Sequence, residues 1–445
     1  MKKHLFYSLL MLISLMGCNA AKANPESEVV EEVEEGLPVI NLSENIEEVS
    51  ALNLSDAAER VEIVKLETSD NLYLSNVEKV EITDDNIYVS TMRSVSVYRF
   101  TRDGKFLNTI GKRGQGPGEY ISLADFLIDN DTKEIYIETG SQGILVFDFE
   151  GHLKRYANKE WPEKLFDGVY AKLVVYKGNN LVFRNIPVFQ MSHPNDPLWS
   201  VAITDNTFTK QKIFKNPAHI GHEKDILSDE HRGHGEGWYQ YWREELTTVD
   251  FTNNELTFKL PDTDTIYVYE TSTQTYKPKY SIYTGEEKGD YELMHEWVKQ
   301  RKSFDYCTYG SYHPTPTSIY FIGSKGEQIY TYRYDKTSHS VSMVKRKGII
   351  TERKDPFVQH YGRPLLRLER NFILTNDING GDFLAKFRSN GRYWIQPLIP
   401  GSSDYEKFVE GLKKAPAAPQ KQQLLDVIAR TGEDDNPILL IAVLK

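Results

Sequence analysis

The chain has 445 residues, with 53 Lys and Arg against 64 Asp and Glu and a net charge of −11. That acidic balance excludes nucleic acid as a partner, which needs a basic footprint. Aromatic residues make up 12% of the chain, 27 of them tyrosine, and such side chains pack well on the pleated surface of a β-rich fold.

At the N-terminus Lys2 and Lys3 precede an apolar run over residues 5–16. The run is too short to span a bilayer as a helix. It ends in Leu15-Met16-Gly17-Cys18, which resembles a bacterial lipobox. The resemblance implies a signal peptide over 1–17, cleavage before Cys18 and diacylation of its sulfur. It places the chain in the cell envelope, lipid-anchored to the outer membrane, with the periplasmic or surface-facing side left open. Acyl chains hold a protein to a membrane at about 0.8 kcal/mol per buried methylene. Cys307 is the only other cysteine, so a lipidated Cys18 leaves no internal disulfide and the fold must rest on its core. Residues 18–38 read as an acidic flexible tether, since 19–36 hold six glutamates and no aromatic residue.

Residues 39–445 carry a repeat. Six short segments share an apolar-x-apolar pattern: NIYVS (86–90), EIYIE (134–138), NLVFR (180–184), ELTFK (255–259), SIYFI (318–322) and NFILT (371–375). The second and fourth residues of each fall on one face of a strand. Hairpin turns follow at Asp103-Gly104, Glu150-Gly151 and Asn390-Gly391. A further strand precedes most copies, as in VEKVEIT (77–83), ADFLID (124–129), AKLVVY (171–176) and ELTTVDF (245–251). Six units of about four antiparallel strands predict an all-β fold, a six-bladed β-propeller with short helical insertions. The ring is expected to close by joining a strand at 61–66 to the terminal strand 436–445.

IGKRGQGPGEY (110–120), followed by ADFLID, IYI and VFDFEG, looks like an NHL-type blade. The wider pattern is similar to the six-bladed β-propeller lipoproteins of Bacteroidota, and that resemblance implies a fold more firmly than a function. The glycine-rich segment lacks the Ser or Thr and the following helix of a phosphate loop. It reads as a blade connector in which Gly114, Gly116 and Gly118 take positive φ, Pro117 fixes its own φ and Glu119 accepts backbone N–H groups.

Function is expected in the insertions, at about 206–245 and 284–305. The first holds His219, His222, His231 and His234 as two H-x-x-H pairs. They are metal-ligand candidates or simply solvated histidines, and no other cofactor is implied. Trp238, Tyr241, Trp242 and Arg243 follow, as a ligand-binding cluster or as core of the next blade. The second insertion contains an amphipathic pattern over 290–304. A helical extension is expected over about 402–433, capped by Ser402 or Ser403. Neither a nucleophile elbow nor an H-E-x-x-H motif is present. Asp129 with Asp131, and Asp262 with Asp264, read as turn formers, and no catalytic residue is assigned. Three readings stay open: a binding scaffold for a glycan, peptide or partner protein, a propeller enzyme acting on glycans, and a structural subunit of an envelope complex.

Overall fold

The computed structural model describes residues 27–28; 36–158 apart from 71, 75, 92–94 and 140–142; 171–184; 199–221 apart from 206 and 209; 247–285 apart from 261–262; 307–346 apart from 326–327; and 372–445. Six antiparallel sheets stand radially as a six-bladed β-propeller. Blade 1 is Val77–Ile82, Asn86–Thr91, Val97–Thr101 and Phe106–Ile110, from the axis outward. Blade 2 is Asp125–Asp129, Glu134–Glu138, Ile144–Asp148 and Leu153–Asn158. Blade 3 is Ala171–Tyr176, Asn179–Arg184, Val201–Thr204 and Lys210–Phe214. Blade 4 is Thr248–Thr252, Glu255–Lys259, Thr265–Glu270 and Thr275–Tyr283. Blade 5 is Cys307–Pro314, Ser318–Lys325, Gln328–Asp335 and Val341–Lys345. Blade 6 is Phe387–Ser389, Tyr393–Leu398, Ile438–Leu444 and Ala58–Lys65.

The repeated pattern follows from where the core sits. Apolar side chains form six clusters, one between each pair of neighbouring blades. A second strand is therefore covered on both faces. In blade 1, Ile87 and Val89 face blade 6, while Tyr88 faces blade 2. In blade 2, Ile135 and Ile137 face blade 1, while Tyr136 faces blade 3. Each isoleucine and valine among them, fully buried, contributes about 1.5–3 kcal/mol.

Two expectations are corrected. The sixth second strand is Tyr393–Leu398, not 371–375. Ile373–Thr375 instead pairs with Asp382–Leu384 in a separate hairpin, and the Asn390-Gly391 turn precedes the second strand rather than following it. The first insertion starts later than 206, because Lys210–Phe214 is the outer strand of blade 3. The ring closes where Ile438–Leu444 pairs antiparallel with Ala58–Lys65.

The N-terminal segment wraps the disc before it enters blade 6. Ser27–Glu28 pairs parallel with the outer strand of blade 3, Val39–Asn41 with that of blade 4 and Glu47–Glu48 with that of blade 5. Ile40 and Leu42 are buried in the core between blades 4 and 5. These short additions cover sheet edges that would otherwise present unpaired backbone groups.

Between the second and third strands of blade 6 lie two helices, Ser403–Lys414 and Lys421–Ala429. The Ser402 hydroxyl accepts from the Tyr405 amide at 3.2 Å and caps the first. Leu412 and Leu424 anchor both in the core between blades 5 and 6. No helix among the described residues is long and apolar enough to cross a membrane.

Candidate functional site

Antiparallel order sorts the loops onto two faces. Inner strands run from an upper face to a lower one, so turns between first and second strands lie below. Connections between second and third strands, and from blade to blade, lie above. The lower turns are tight: Lys177-Gly178, Asn253-Asn254 and Asn390-Gly391 all have positive φ. The long insertions all leave and rejoin the described structure at the upper face.

The lower end of the axis is crossed by the blade 6 turn. Asn390 Nδ2 donates to the Ile82 carbonyl of blade 1 at 2.8 Å, and Ser389 Oγ accepts from the Ile82 amide at 2.8 Å. On the other side Gly391 lies directly on blade 4, where a Cβ would stand 2.0 Å from the Phe251 carbonyl oxygen. Above this turn Arg388 reaches two blades. Its Nε is 3.1 Å from Asp250 Oδ2 of blade 4, and a guanidinium nitrogen is 3.4 Å from His313 Nε2 of blade 5.

The upper end holds a cavity of about 380 Å³. It is lined by Val77, Glu78, Lys79 and Ser90 of blade 1, Leu123, Ala124 and Asp125 leading into blade 2, and Lys386 leading into blade 6. Lys79 Nζ donates to Asp125 Oδ1 at 2.8 Å and to the Phe126 carbonyl at 2.6 Å, and lies 3.4 Å from Glu81 Oε1. Burial works against the charge of Lys79, yet Asp125 and Glu81 hold its pKa above the usual lysine value. Burial also raises Glu81, although Lys79 and the Ser389 hydroxyl counter it. Glu138 pairs with Asp125 across the sheet. Burial, reinforced by Asp125 and opposed by Lys79, pushes Glu138 up to about 7. Chemically, this end offers a half-buried ion pair, a carboxyl that keeps its proton near neutrality and a second ammonium.

The connector at 110–120 cradles its own carboxylate. Lys112–Arg113 pairs parallel with Glu119–Tyr120. The Gly116 amide donates to Glu119 Oε2 at 2.9 Å, and Lys112 Nζ lies 3.0 Å from Oε1. Those two contacts, the amide first, hold the Glu119 carboxyl below its usual range. Of the three expected glycines only Gly118 has positive φ, +74°, and Gly111 joins it at +67°. Gly114 instead lies against the Glu119 carboxylate, where a Cβ would stand 1.9 Å from Oε2 and displace the end of that side chain. Pro117 occupies the turn between Gly116 and Gly118.

His219 is buried at the end of a short turn, Pro217–His219, with its Nε2 3.5 Å from Asn216 Nδ2. His222, His231, His234, Trp238, Tyr241, Trp242 and Arg243 lie outside the described residues, as do Cys18 and the pattern over 290–304. Among the described residues no group of three or more His, Cys, Asp or Glu is placed to hold a metal. Asp129 is a turn former, accepting from the Asp131 amide at 2.9 Å and the Thr132 hydroxyl at 2.7 Å. The axial groups Lys79, Glu81, Asp250, His313 and Arg388 were not singled out in the sequence. Their signal is a charged or polar residue inside the first strands of blades 1, 4, 5 and 6, where an ordinary half-buried strand would place an apolar one.

Several solved structures match the chain over part or most of its length. A Bacteroides fragilis protein described as exported matches with a TM-score of 0.58 and 16% identity, over 92% of this chain and 100% of its own. A member of the DUF4221 family from Bacteroides vulgatus matches with a TM-score of 0.40 and 11% identity, over 65% of this chain and 86% of its own. The extracellular domain of a hybrid two-component system from B. thetaiotaomicron matches with a TM-score of 0.35 and 11% identity, over 64% of this chain and 32% of its own. No curated protein matches the chain. The profile of one family, described as a domain of unknown function, DUF4934, matches residues 37–443, and the chain belongs to that family.

Proposed function

We infer that this protein is an exported binding scaffold of the cell envelope, lipid-anchored through Cys18, whose NHL-like blades present the upper end of the axis to a glycan, peptide or partner protein. The observation that carries this reading is the asymmetry of the axis. The lower end is crossed by the blade 6 turn, while the charged cavity and the ends of every long connection lie above. Binding residues concentrate on loops held by a rigid scaffold, and concave sites with a few charged groups are where ligands bind.

The test is capture from detergent extracts of native envelope by the full-length protein, against Ala124→Trp, which fills the cavity. Repeated recovery of one glycan or protein by the wild type and its loss in a folded Ala124→Trp are expected. Equal recovery by both would refute the upper end as the site. Cys18→Ala should move the protein to the soluble fraction, and a variant that stays with the membrane would refute the anchor.

A further inference from the structure

The cavity at the upper end of the axis contains two ammonium groups in unlike surroundings. Lys79 makes two short bonds, to Asp125 at 2.8 Å and to the Phe126 carbonyl at 2.6 Å, and has the Glu81 carboxylate as a further charge at 3.4 Å. Lys386 does not. Its Nζ stands 3.4 Å from the Val77 carbonyl, beyond the usual 2.7–3.2 Å of such a bond. It also lies 5.1 Å from the centre of the Phe387 ring. Among the described residues no carboxylate lies within ion-pair distance of it. Burial lowers its pKa, and the charges of Asp404 and Glu78 only partly oppose this. A half-buried ammonium with one long bond is short of acceptors within the protein.

The backbone holds Lys386 at this place. Its amide lies 2.7 Å from the Leu384 carbonyl and 3.1 Å from the Ile395 carbonyl, where the chain passes from the accessory hairpin into the inner strand of blade 6. The remaining wall is apolar at Val77, Leu123 and Ala124 and offers the hydroxyl of Ser90. A volume of about 380 Å³ lies at the small end of small-molecule sites.

We propose that Lys386 is the anion-recognising residue of this cavity and that its ligand is a small organic carboxylate of about monosaccharide size. A single carboxylate supplies the missing acceptors. A phosphate or sulfate dianion fits less well, because Glu78 and Asp125 line the same space and repel a second negative charge. The proposal rests on the reading of the upper end as a binding site.

D-Glucuronate and D-glucose share a ring and differ in the carboxylate, so calorimetric titration of the full-length protein with both isolates its contribution. The wild type is expected to prefer glucuronate by about 10- to 100-fold, the range of a hydrogen bond to a charged group. Lys386→Met is expected to abolish that preference at an unchanged melting temperature, and Lys386→Arg to retain part of it. Binding of neither sugar, equal binding of both, or an intact preference in Lys386→Met would overturn the proposal. The envelope capture separates this failure from that of the binding reading. Capture that survives Lys386→Met but not Ala124→Trp refutes the carboxylate and leaves the site. Capture indifferent to both variants refutes the site itself.

Discussion

Gly178 and Gly391 hold the same position in two blades, the second residue of the lower turn, at φ +73° and +70°. Alanine at either incurs the left-handed backbone cost of about 1–2 kcal/mol. At Gly178 the new methyl meets nothing within 4 Å, so the cost stops there. At Gly391 it meets the Phe251 carbonyl oxygen at 2.0 Å and its carbon at 2.4 Å. These are backbone atoms of another blade and cannot rotate away, so the contact must open by about 1 Å. Overpacking of this kind adds about 1–3 kcal/mol. Gly391→Ala is therefore expected to lose about 2–5 kcal/mol and Gly178→Ala about 1–2. Urea unfolding of both variants beside the wild type reads the difference as a shift in midpoint at constant slope. Hydrogen exchange at Thr252 should quicken in Gly391→Ala alone. Equal midpoint shifts would show that the blade 6 turn does not bear on blade 4, and the crossed lower end would be wrong.

Three further outcomes are expected. Glu138 keeps its proton up to about pH 7 in the folded chain, against 4.5 for an ordinary glutamate. The folded state thus binds more protons than the unfolded one between those values, and stability falls as pH rises through that window, by at most about 3 kcal/mol. Glu138→Gln should flatten the fall, and denaturation midpoints at pH 5 and pH 8 that decline as steeply as in the wild type would contradict the burial of this group. Removing residues 438–445 takes out a strand paired on both sides; cooperative melting of the truncated chain would disprove closure through blade 6. Gly114→Ala should destabilise the protein with Glu119 present and much less in a Glu119→Ala background, a coupling that a double-mutant cycle measures directly. Additive effects would mean that Gly114 serves backbone conformation rather than the carboxylate.

The propeller was legible because blade cores repeat. Ile87 and Val89, Ile135 and Ile137, and Leu181 and Phe183 each place two residues on one inter-blade face, and all are buried. The same rule misled at the last repeat. Tyr393-Trp394-Ile395 packs as Ile87-Tyr88-Val89 does, its outer two residues against one neighbouring blade and its middle one against the other. RYWIQ (392–396) and NFILT (371–375) therefore both carry the apolar-x-apolar pattern, and only the strand pairing shows which of them belongs to the blade. The wrapping strands were illegible for another reason. Glu47 and Glu48 are exposed acids in a two-residue parallel pairing, and nothing in such a stretch distinguishes it from a tether. The axial charges were hidden because Arg388, Asp250 and His313 are 63 or more residues apart in pairs that only the ring closure brings together.

The strands that encircle blades 3 to 5 are also a stored length of chain. Each is held by two or three paired residues, whereas Ala58–Lys65 is held along its whole length in blade 6. Tension applied ahead of Ser27 would detach them one at a time, blade 3 first, and stop at blade 6. Residues 27–57 pulled straight span about 100 Å, so the disc would be paid out on a lengthening leash while its axis stayed closed. A single-molecule extension trace should show small early steps approaching that total before any blade is lost; a single large rupture at the outset would contradict it.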